Sequence, residues 1–178
     1  SGYDGLGDIR MGQGTSDYFM KNIEYPFFRY YLEGKGRRPE PVYAFASGSD
    51  QWQIMEQWPS SEVEFKPLFL NEDGRLSFDP PQDSTSFSSY VSDPASPVPF
   101  MADASRRDNA YMAADQSFAS ERNDVLTFIS QPLDNILKIQ GPLRASVSVS
   151  ITSTDADLIV KFIDVHPDGY QMLVRGDV

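Results

Sequence analysis

The feature that most constrains this chain is a change of pattern at Arg37, after which short apolar runs replace helical spacing. The runs are rich in Val, Ile, Phe, Tyr and Trp and are separated by Gly, Pro, Asp and Ser, which is typical of strands joined by turns. The clearest run is residues 143–151, where Leu, Ala, Val, Val and Ile alternate with Arg and Ser. This alternation predicts a strand with one face in a core and the other in water.

Several segments fit this pattern as candidate strands. They are residues 42–46, 52–58, 63–70, 76–78, 126–129, 136–139, 143–151, 158–165 and 170–174. Many short strands at fairly regular spacing indicate a mainly β fold, a sandwich or jelly roll, rather than a parallel α/β sheet. Residues 79–120 interrupt them with a long stretch rich in Pro, Ser and Asp. Loops of this length in compact domains are usually functional or held against a neighbour.

The part before Arg37 predicts a glycine-rich loop followed by one amphipathic helix. Thr15 or Ser16 is a suitable N-cap, and aromatic and aliphatic residues then recur at helical spacing. Pro26 lacks an amide donor, so we expect a kink or two short helices meeting there. Gly34 is suited to end the helix because glycine readily adopts a left-handed conformation.

Composition excludes several classes of function. Fifteen Lys and Arg stand against twenty-six Asp and Glu, a formal net charge of −11, which argues against nucleic acid as a partner. No apolar run approaches the length needed to cross a bilayer. The absence of cysteine excludes disulfides, thiol nucleophiles and cysteine-ligated metals within the chain, and we predict no cofactor. It leaves the compartment open between cytoplasm and a secreted or periplasmic location.

A serine-hydrolase triad requires an imidazole, and His166 is the one histidine in the sequence. It stands in His166-Pro167-Asp168-Gly169, a strong turn signature after an apolar run, which favours a solvated hairpin turn over a catalytic role. The sequence has no Gly-Xaa-Ser-Xaa-Gly elbow, the turn that exposes a nucleophilic serine in α/β-hydrolases. We therefore predict no catalytic residues within this chain.

Two other groups of side chains have both a functional and a structural interpretation. Asp155 and Asp157 could contribute oxygen ligands to calcium, but they match no complete calcium loop and are typical of a turn before a strand. Trp52, Trp58 and Tyr90 could form a platform for a sugar. Even spacing on one strand would place both tryptophans on one face, which core packing also demands.

A set of motifs occurs in a fixed order over nearly the whole chain. They are Ser49-Asp50-Gln51-Trp52, Gln57-Trp58-Pro59, Pro67-Leu68-Phe69-Leu70, Gly74-Arg75-Leu76-Ser77, Tyr90-Val91-Ser92-Asp93-Pro94, Pro97-Val98-Pro99, Asp115-Gln116, Arg122-Asn123-Asp124-Val125-Leu126, Lys161-Phe162-Ile163-Asp164-Val165 and Pro167-Asp168-Gly169. Together they resemble the C-terminal part of the α-amino-acid ester hydrolases, glutaryl acylases, cocaine-esterase-like enzymes and X-Pro dipeptidyl peptidases.

The resemblance implies a division of the chain. In that family an α/β-hydrolase domain carries the catalytic Ser, Asp and His, and a C-terminal jelly roll of galactose-binding-like topology packs against it. Residues 1–36 would be the last loop and helix of the hydrolase domain, and residues 37–178 the jelly roll. The catalytic residues would lie upstream of Ser1, and further strands would follow the last one here, so we expect a piece cut at both ends.

The resemblance also implies a surface near substrate. In the family the jelly roll covers one wall of the active-site entrance. The matching residues here are Phe100, Met101 and Tyr111, which we call the entrance wall. Arg122 and Asp124 match family positions but are interpreted as a structural pair near the start of a strand.

These observations favour a non-catalytic C-terminal domain of a Ser-His-Asp hydrolase that acts on esters, amides or peptides. Its expected partner is its own upstream hydrolase domain, and a homo-oligomer stays open. The alternatives are a carbohydrate-binding β-sandwich module and a purely structural or interaction domain. Exposed aromatic rings forming a groove would favour the sugar binder, and buried tryptophans would favour the structural domain.

Overall fold

The structure is a computed structural model that describes residues 5–7, 9–12, 14–83, 85–105 and 109–177. In these residues every named strand pairs with one neighbour in an antiparallel hairpin. The strands are β1 (Gly5–Leu6), β2 (Ile9–Arg10), β3 (Val42–Ala46), β4 (Gln51–Met55), β5 (Phe69–Leu70), β6 (Leu76–Ser77), β7 (Val160–Val165) and β8 (Gln171–Asp177). The α-helices are α1 (Thr15–Phe19), α2 (Tyr25–Glu33) and α3 (Ser117–Ser120).

The chain divides into two compact units. The first comprises Ser1–Val63, Asn109–Ala113 and Gln140–Arg144, and the second comprises Glu64–Asp108, Ala114–Ile139 and Ala145–Val178. The first holds the β1–β2 and β3–β4 hairpins with α1 and α2. The second holds the β5–β6 and β7–β8 hairpins with α3. The fold is thus mainly small antiparallel strand pairs with one principal helical segment, in agreement with the predicted β class.

The helical segment of the first unit confirms the predicted helix but begins differently. Gly14, in a left-handed conformation, is the N-cap, and its carbonyl accepts a hydrogen bond from the Tyr18 amide over 2.8 Å. Thr15 is therefore the first helical residue, and no side chain caps the helix. The prediction that Thr15 or Ser16 would be the N-cap was wrong because glycine reaches this backbone conformation without steric cost.

The helical segment continues through Pro26, but its hydrogen-bond pattern changes just before that residue. A π-helical turn, Met20–Glu24, joins α1 to α2, and Pro26 lies in the first turn of α2. The fixed φ of proline suits the first turn of an α-helix, where proline is common. Gly34 ends α2 in a left-handed conformation, as predicted, and its amide donates to the Tyr30 carbonyl.

The β3–β4 hairpin confirms one predicted strand and shortens another. β3 has the predicted bounds, and its register places Phe45 directly opposite Trp52. β4 ends at Met55, whereas the predicted strand extended to Trp58. Trp52 and Trp58 therefore do not lie on one strand, and the expectation that they share a strand face was wrong. Trp58-Pro59 leaves the hairpin through a cis peptide bond.

The two hairpins of the second unit have short turns, and the one between β7 and β8 was predicted from the sequence. Residues Glu72–Gly74 form a 3-10 turn between β5 and β6, with Asp73 and Gly74 both at positive φ. Between β7 and β8, the amide of His166 donates to the Tyr170 carbonyl over 2.8 Å, closing the predicted turn. Gly169 supplies the left-handed conformation that this turn requires.

Several predicted strands do not form in the described residues. Residues 136–139 and 143–151 contain no strand, and of 63–70 only Phe69–Leu70 is one. Residues 126–129 contribute only an isolated parallel bridge, in which Ile129 pairs with Arg75. In residues 143–151 the alternation is present but its apolar side chains are exposed, with Val149 at 59%. Alternation determines which side chains share a face, whereas a strand also needs a neighbour to pair its amides and carbonyls. Residues 143–151 have no such pairing in the structure.

Many large apolar side chains are exposed within each unit. They include Leu32 of the first unit at 77% and Ile136 of the second at 100% exposure. Apolar surface on this scale is typical of chains that are covered by a partner.

Candidate functional site

The sole histidine forms part of a hairpin turn. Nε2 of His166 lies 3.8 Å from Oδ2 of Asp164, and its ring centroid lies 5.5 Å from that of Tyr170. Among the described residues no serine hydroxyl contacts the imidazole. A catalytic triad needs a nucleophile within hydrogen-bond reach of the imidazole. The interpretation of His166 as a turn residue is confirmed, although its side chain is only 33% exposed and so is half-buried rather than fully solvated.

The most highly organised polar group in the second unit is centred on Asp115. Its Oδ1 accepts hydrogen bonds from the amides of Ser117 and Gln171 over 3.1 and 3.0 Å, and its Oδ2 accepts one from Ser117 Oγ over 2.7 Å. Burial by itself would raise the pKa of Asp115. The hydrogen bond from Ser117 Oγ and those from neighbouring amides outweigh burial and hold the pKa below its ordinary value.

Gln116 continues this group into the interior, where it has no exposed surface. Its Nε2 donates to the Ala114 carbonyl over 3.1 Å, and its Oε1 accepts from Lys161 Nζ over 2.6 Å. Burial lowers the pKa of Lys161, because the charged ammonium is less well solvated there. We call Asp115, Gln116, Ser117, Lys161 and Gln171 the Asp-Gln cluster. It fastens the β7–β8 hairpin to the start of α3.

A second polar group joins two segments that are distant in sequence. Arg122 binds Asp124 with two hydrogen bonds, Nε to Oδ1 over 2.7 Å and Nη2 to Oδ2 over 2.6 Å. Nη2 also donates to the carbonyl of Ser96 over 2.7 Å. These hydrogen bonds hold the pKa of Asp124 below its usual range and raise that of Arg122. The expected structural pair is therefore present and also has a third partner.

An open depression lies beside this ion pair. It is formed by residues 89–96 and 121–124 and has a volume of about 730 Å³. The side chains of Tyr90, Arg122 and Asp124 belong to its lining. Because the positive charge of Arg122 is already paired with the Asp124 carboxylate, the depression does not offer an unpaired arginine to an anionic ligand.

The predicted entrance wall is divided between the two units. Phe100 and Met101 belong to the second unit, where Phe100 is 52% exposed and Met101 is half-buried. Tyr111 belongs to the first unit, in the 3-10 turn Asn109–Ala113, and is 42% exposed. The structure gives each residue an accessible ring or side chain, and the shared role of the three stays a prediction.

The aromatic residues proposed as a sugar platform have different environments. Trp52 packs against three rings of its own unit. They are Tyr18 at 5.3 Å between centroids and nearly parallel, Phe45 at 5.4 Å and Phe19 at 6.3 Å. Trp58 is 53% exposed. The interpretation of Trp52 as a packing residue is confirmed, so a sugar-binding hypothesis would have to rest on Trp58 and Tyr90.

The acidic pair at residues 155–157 makes local hydrogen bonds after a bend at residues 152–154, and the expected turn at the pair itself does not form. The amide of Ala156 donates to Oδ1 of Asp155 over 2.9 Å, and the Asp155 carbonyl accepts from Ser153 Oγ. In the part of the chain that the structure describes, no three acidic or histidine side chains come together as a metal site would require. Nor does any helix there combine the length and apolar character of a membrane span.

Sequence reasoning gave no role to the Asp-Gln cluster. A glutamine is ordinarily a surface residue, so nothing in the local pattern marks Gln116 as buried. Its partner Lys161 is 45 residues away, and the Asp115 partner Gln171 is 56 residues away. The one signal available was the Asp115-Gln116 motif itself, which contributed to the resemblance without indicating a function.

Comparison with known proteins agrees with these findings. Residues 26–176 match the family described as the X-Pro dipeptidyl-peptidase C-terminal non-catalytic domain. The chain is 31% identical over 137 residues to the cocaine esterase of Rhodococcus sp. (strain MB1 Bresler), a match that covers 72% of this chain and 24% of that protein.

Two solved structures are similar along nearly the whole chain. An aminopeptidase from the marine sediment archaeon Thaumarchaeota archaeon aligns with a TM-score of 0.83 and 28% identity, over 98% of this chain and 31% of its own. An α-amino acid ester hydrolase aligns with a TM-score of 0.78 and 30% identity, over 96% and 31%. The matched region thus covers only 24% to 31% of the length of these relatives. It belongs to the family of X-Pro dipeptidyl-peptidase C-terminal non-catalytic domains.

Proposed function

We propose that this chain is the non-catalytic C-terminal region of a Ser-His-Asp hydrolase that cleaves esters or amides, and that it forms one wall of the active-site entrance. Residues 1–36 would complete the α/β-hydrolase domain, and residues 37–178 would belong to a jelly roll. The observation that carries the proposal is the family match over residues 26–176, a domain described as non-catalytic.

The chemistry of the described residues supports a non-catalytic role. The one imidazole lies in a turn beside Asp164, without a serine to activate. The best-formed polar groups make several internal hydrogen bonds: Asp115 accepts from Ser117 and Gln171, and Arg122 donates to Asp124 and Ser96. Polar networks of this kind hold loops in place, which is the structural role expected of a non-catalytic domain.

The exposed apolar surface supports a covering partner. The helical segment presents many aromatic rings to solvent, among them Tyr25 at 61% and Tyr31 at 55% exposure. Such a face gains about 25 cal/mol for each Å² that a partner covers. An upstream hydrolase domain would cover it, and packing in the complete protein would give residues 143–151 the neighbouring strand that they lack here.

In the complete enzyme the chemistry would be carried out outside this chain. A serine would attack the substrate carbonyl, a histidine would take and return the proton, an aspartate would orient the histidine, and backbone amides would bind the developing oxyanion. The entrance wall would contact the acyl or leaving group. The relatives are named as an esterase, an ester hydrolase and an aminopeptidase. These names support esters and amides as the substrate class.

Substitution of the entrance wall in the full-length gene product tests this function. Phe100→Ala, Met101→Ala and Tyr111→Ala should raise KM for bulky acyl esters while leaving kcat for a small acetyl ester unchanged. Phe87→Ala is a matched control, because Phe87 lies on the same long loop and is 89% exposed. Equal effects of all four substitutions, or none, would refute the wall.

A further inference from the structure

We infer that Arg122 is a positioning residue that holds Phe100 and Met101 in place through the backbone of Ser96. Any effect of Arg122 on catalysis rests on the proposed function. The contact between Arg122 and Ser96 does not depend on that function. The guanidinium connects residues 26 positions apart, since Nη2 donates to the Ser96 carbonyl over 2.7 Å. That bond fixes one point of a loop that otherwise has little regular structure.

The geometry of Arg122 makes this anchor rigid. Two hydrogen bonds to Asp124, over 2.7 and 2.6 Å, fix the plane of the guanidinium. The side chains of Arg122 and Asp124 are 27% and 16% exposed, so they are largely shielded from water. A planar bidentate pair of this kind has a defined orientation, so the second N–H of Nη2 is aimed at one position, where it meets the Ser96 carbonyl.

The turn that ends at Ser96 is fixed independently. Oδ1 of Asp93 accepts from the amide of Ala95 over 2.9 Å, and the Asp93 carbonyl accepts from the amide of Ser96 over 3.0 Å. Asp93 also attracts Arg122 electrostatically. Ser96 therefore has its amide held by the turn and its carbonyl held by the guanidinium, so both of its backbone polar groups are anchored.

The segment between the anchor and the entrance wall is stiff. Pro97-Val98-Pro99, the proline spacer, separates Ser96 from Phe100. Each proline fixes its own φ and also pushes the preceding residue towards extended backbone. Pro-rich segments behave as semi-rigid spacers of about 3.1 Å per residue. Fixing Ser96 therefore restricts where Phe100 and Met101 can lie, even though Arg122 is several residues away from them.

Spin labelling tests the anchor directly. The chain contains no cysteine, so Ala102→Cys gives a single labelling site here, in the full-length protein with any cysteine elsewhere replaced by serine. Arg122→Lys keeps the positive charge but lacks the fork that reaches Asp124 and Ser96 together. We expect it to cause loss of the immobilised component of the nitroxide spectrum. Arg144→Lys, at an exposed arginine, is the matched control and should leave that component unchanged.

Two further measurements keep the inference falsifiable. Circular dichroism must show the same fold for Arg122→Lys as for the parent. Asp124→Asn, which keeps the guanidinium, is a second variant and should also reduce the immobilised component of the spectrum. An unchanged spectrum in both folded variants overturns the inference.

Kinetics of the same enzyme then separate this inference from the proposed function. If Phe100 and Met101 contact substrate, Arg122→Lys lowers kcat/KM for a bulky acyl ester by about tenfold to a hundredfold relative to an acetyl ester. A mobile label with unchanged kcat/KM for both esters would uphold the anchor and refute the entrance wall. If the label stays immobile in Arg122→Lys while kcat/KM for the bulky ester changes, the anchor is refuted and the entrance wall is not.

Discussion

Nζ of Lys161, on strand β7, donates a hydrogen bond over 2.6 Å to Oε1 of Gln116, a residue with no exposed surface at the start of α3. The two residues are 45 positions apart in the chain. Because the carbonyl and amide of Gln171 on β8 also bond to Gln116 and Asp115, both strands of the hairpin are fastened at one place. The Asp-Gln cluster is thus the central polar link of the second unit.

Removal of the lysine should weaken this link. Lys161→Met keeps the length of the side chain but leaves Oε1 of Gln116 buried without a donor. An unsatisfied buried acceptor costs about 1–3 kcal/mol, so we expect the free energy of unfolding in urea to fall by that amount. Lys21→Met, at a side chain that is 75% exposed, is the control and should change it by at most about 0.5 kcal/mol. Equal losses would contradict the role given to Lys161.

Asp115 should make stability depend on pH in the acid range. Its folded pKa is lowered, so its contribution is fully present above its unfolded pKa of about 3.8 and is lost as pH falls through the folded pKa. The difference in unfolding free energy between the parent and Asp115→Asn should be constant above about pH 5 and shrink below pH 4. Denaturant titrations at several pH values measure it. A difference that stays constant down to pH 2 would contradict the account.

Gly74 should be much less replaceable than another glycine of similar backbone conformation. Gly74 and Gly34 have φ of 70° and 67°, so alanine strains the backbone at both by about 1 kcal/mol. A Cβ at Gly74 would also lie 2.8 Å from the Thr127 carbonyl oxygen, whereas one at Gly34 meets nothing within 4 Å. We therefore expect Gly74→Ala to lower the unfolding free energy by more than Gly34→Ala. Thermal denaturation of both variants measures the two losses of unfolding free energy. Equal losses would contradict a steric clash at Gly74.

The two tryptophans should differ in stability and in ligand response. Trp52→Ala removes a ring that packs on Tyr18 and Phe45 and should cost about 2 kcal/mol, because the site is only half-buried. Trp58→Ala, at a 53% exposed ring, should cost about 0.5 kcal/mol. Tryptophan fluorescence of the parent should not shift with oligosaccharides. A shift that disappears in Trp58→Ala would instead support the carbohydrate-binding alternative.

Local signals predicted the local parts of this fold. The bounds of β3 and the turn at residues 166–169 depend on neighbouring residue types, and the structure contains them as predicted. The prediction failed where a partner decides the outcome. Residues 143–151 carry the best alternation in the sequence, yet without a paired strand they do not form one.

For the polar groups too, only contacts between residues close in sequence could be predicted. The turn role of His166 and the pairing of Arg122 with Asp124 followed from short spacings in sequence. The Ser96 contact of Arg122 and the burial of Gln116 did not, because both depend on residues that are brought together only by folding.

Labelling with a serine-directed phosphonate tests the central claim most directly, namely that the reactive groups lie outside these 178 residues. The full-length gene product and this chain alone are treated with the phosphonate, assayed on an aryl ester and analysed by peptide mass spectrometry. We predict that the full-length protein loses its turnover and carries the phosphonate on a serine outside this chain, while the chain alone neither turns over ester nor is labelled. A phosphonylated serine within these residues, with turnover lost in parallel, would contradict the account.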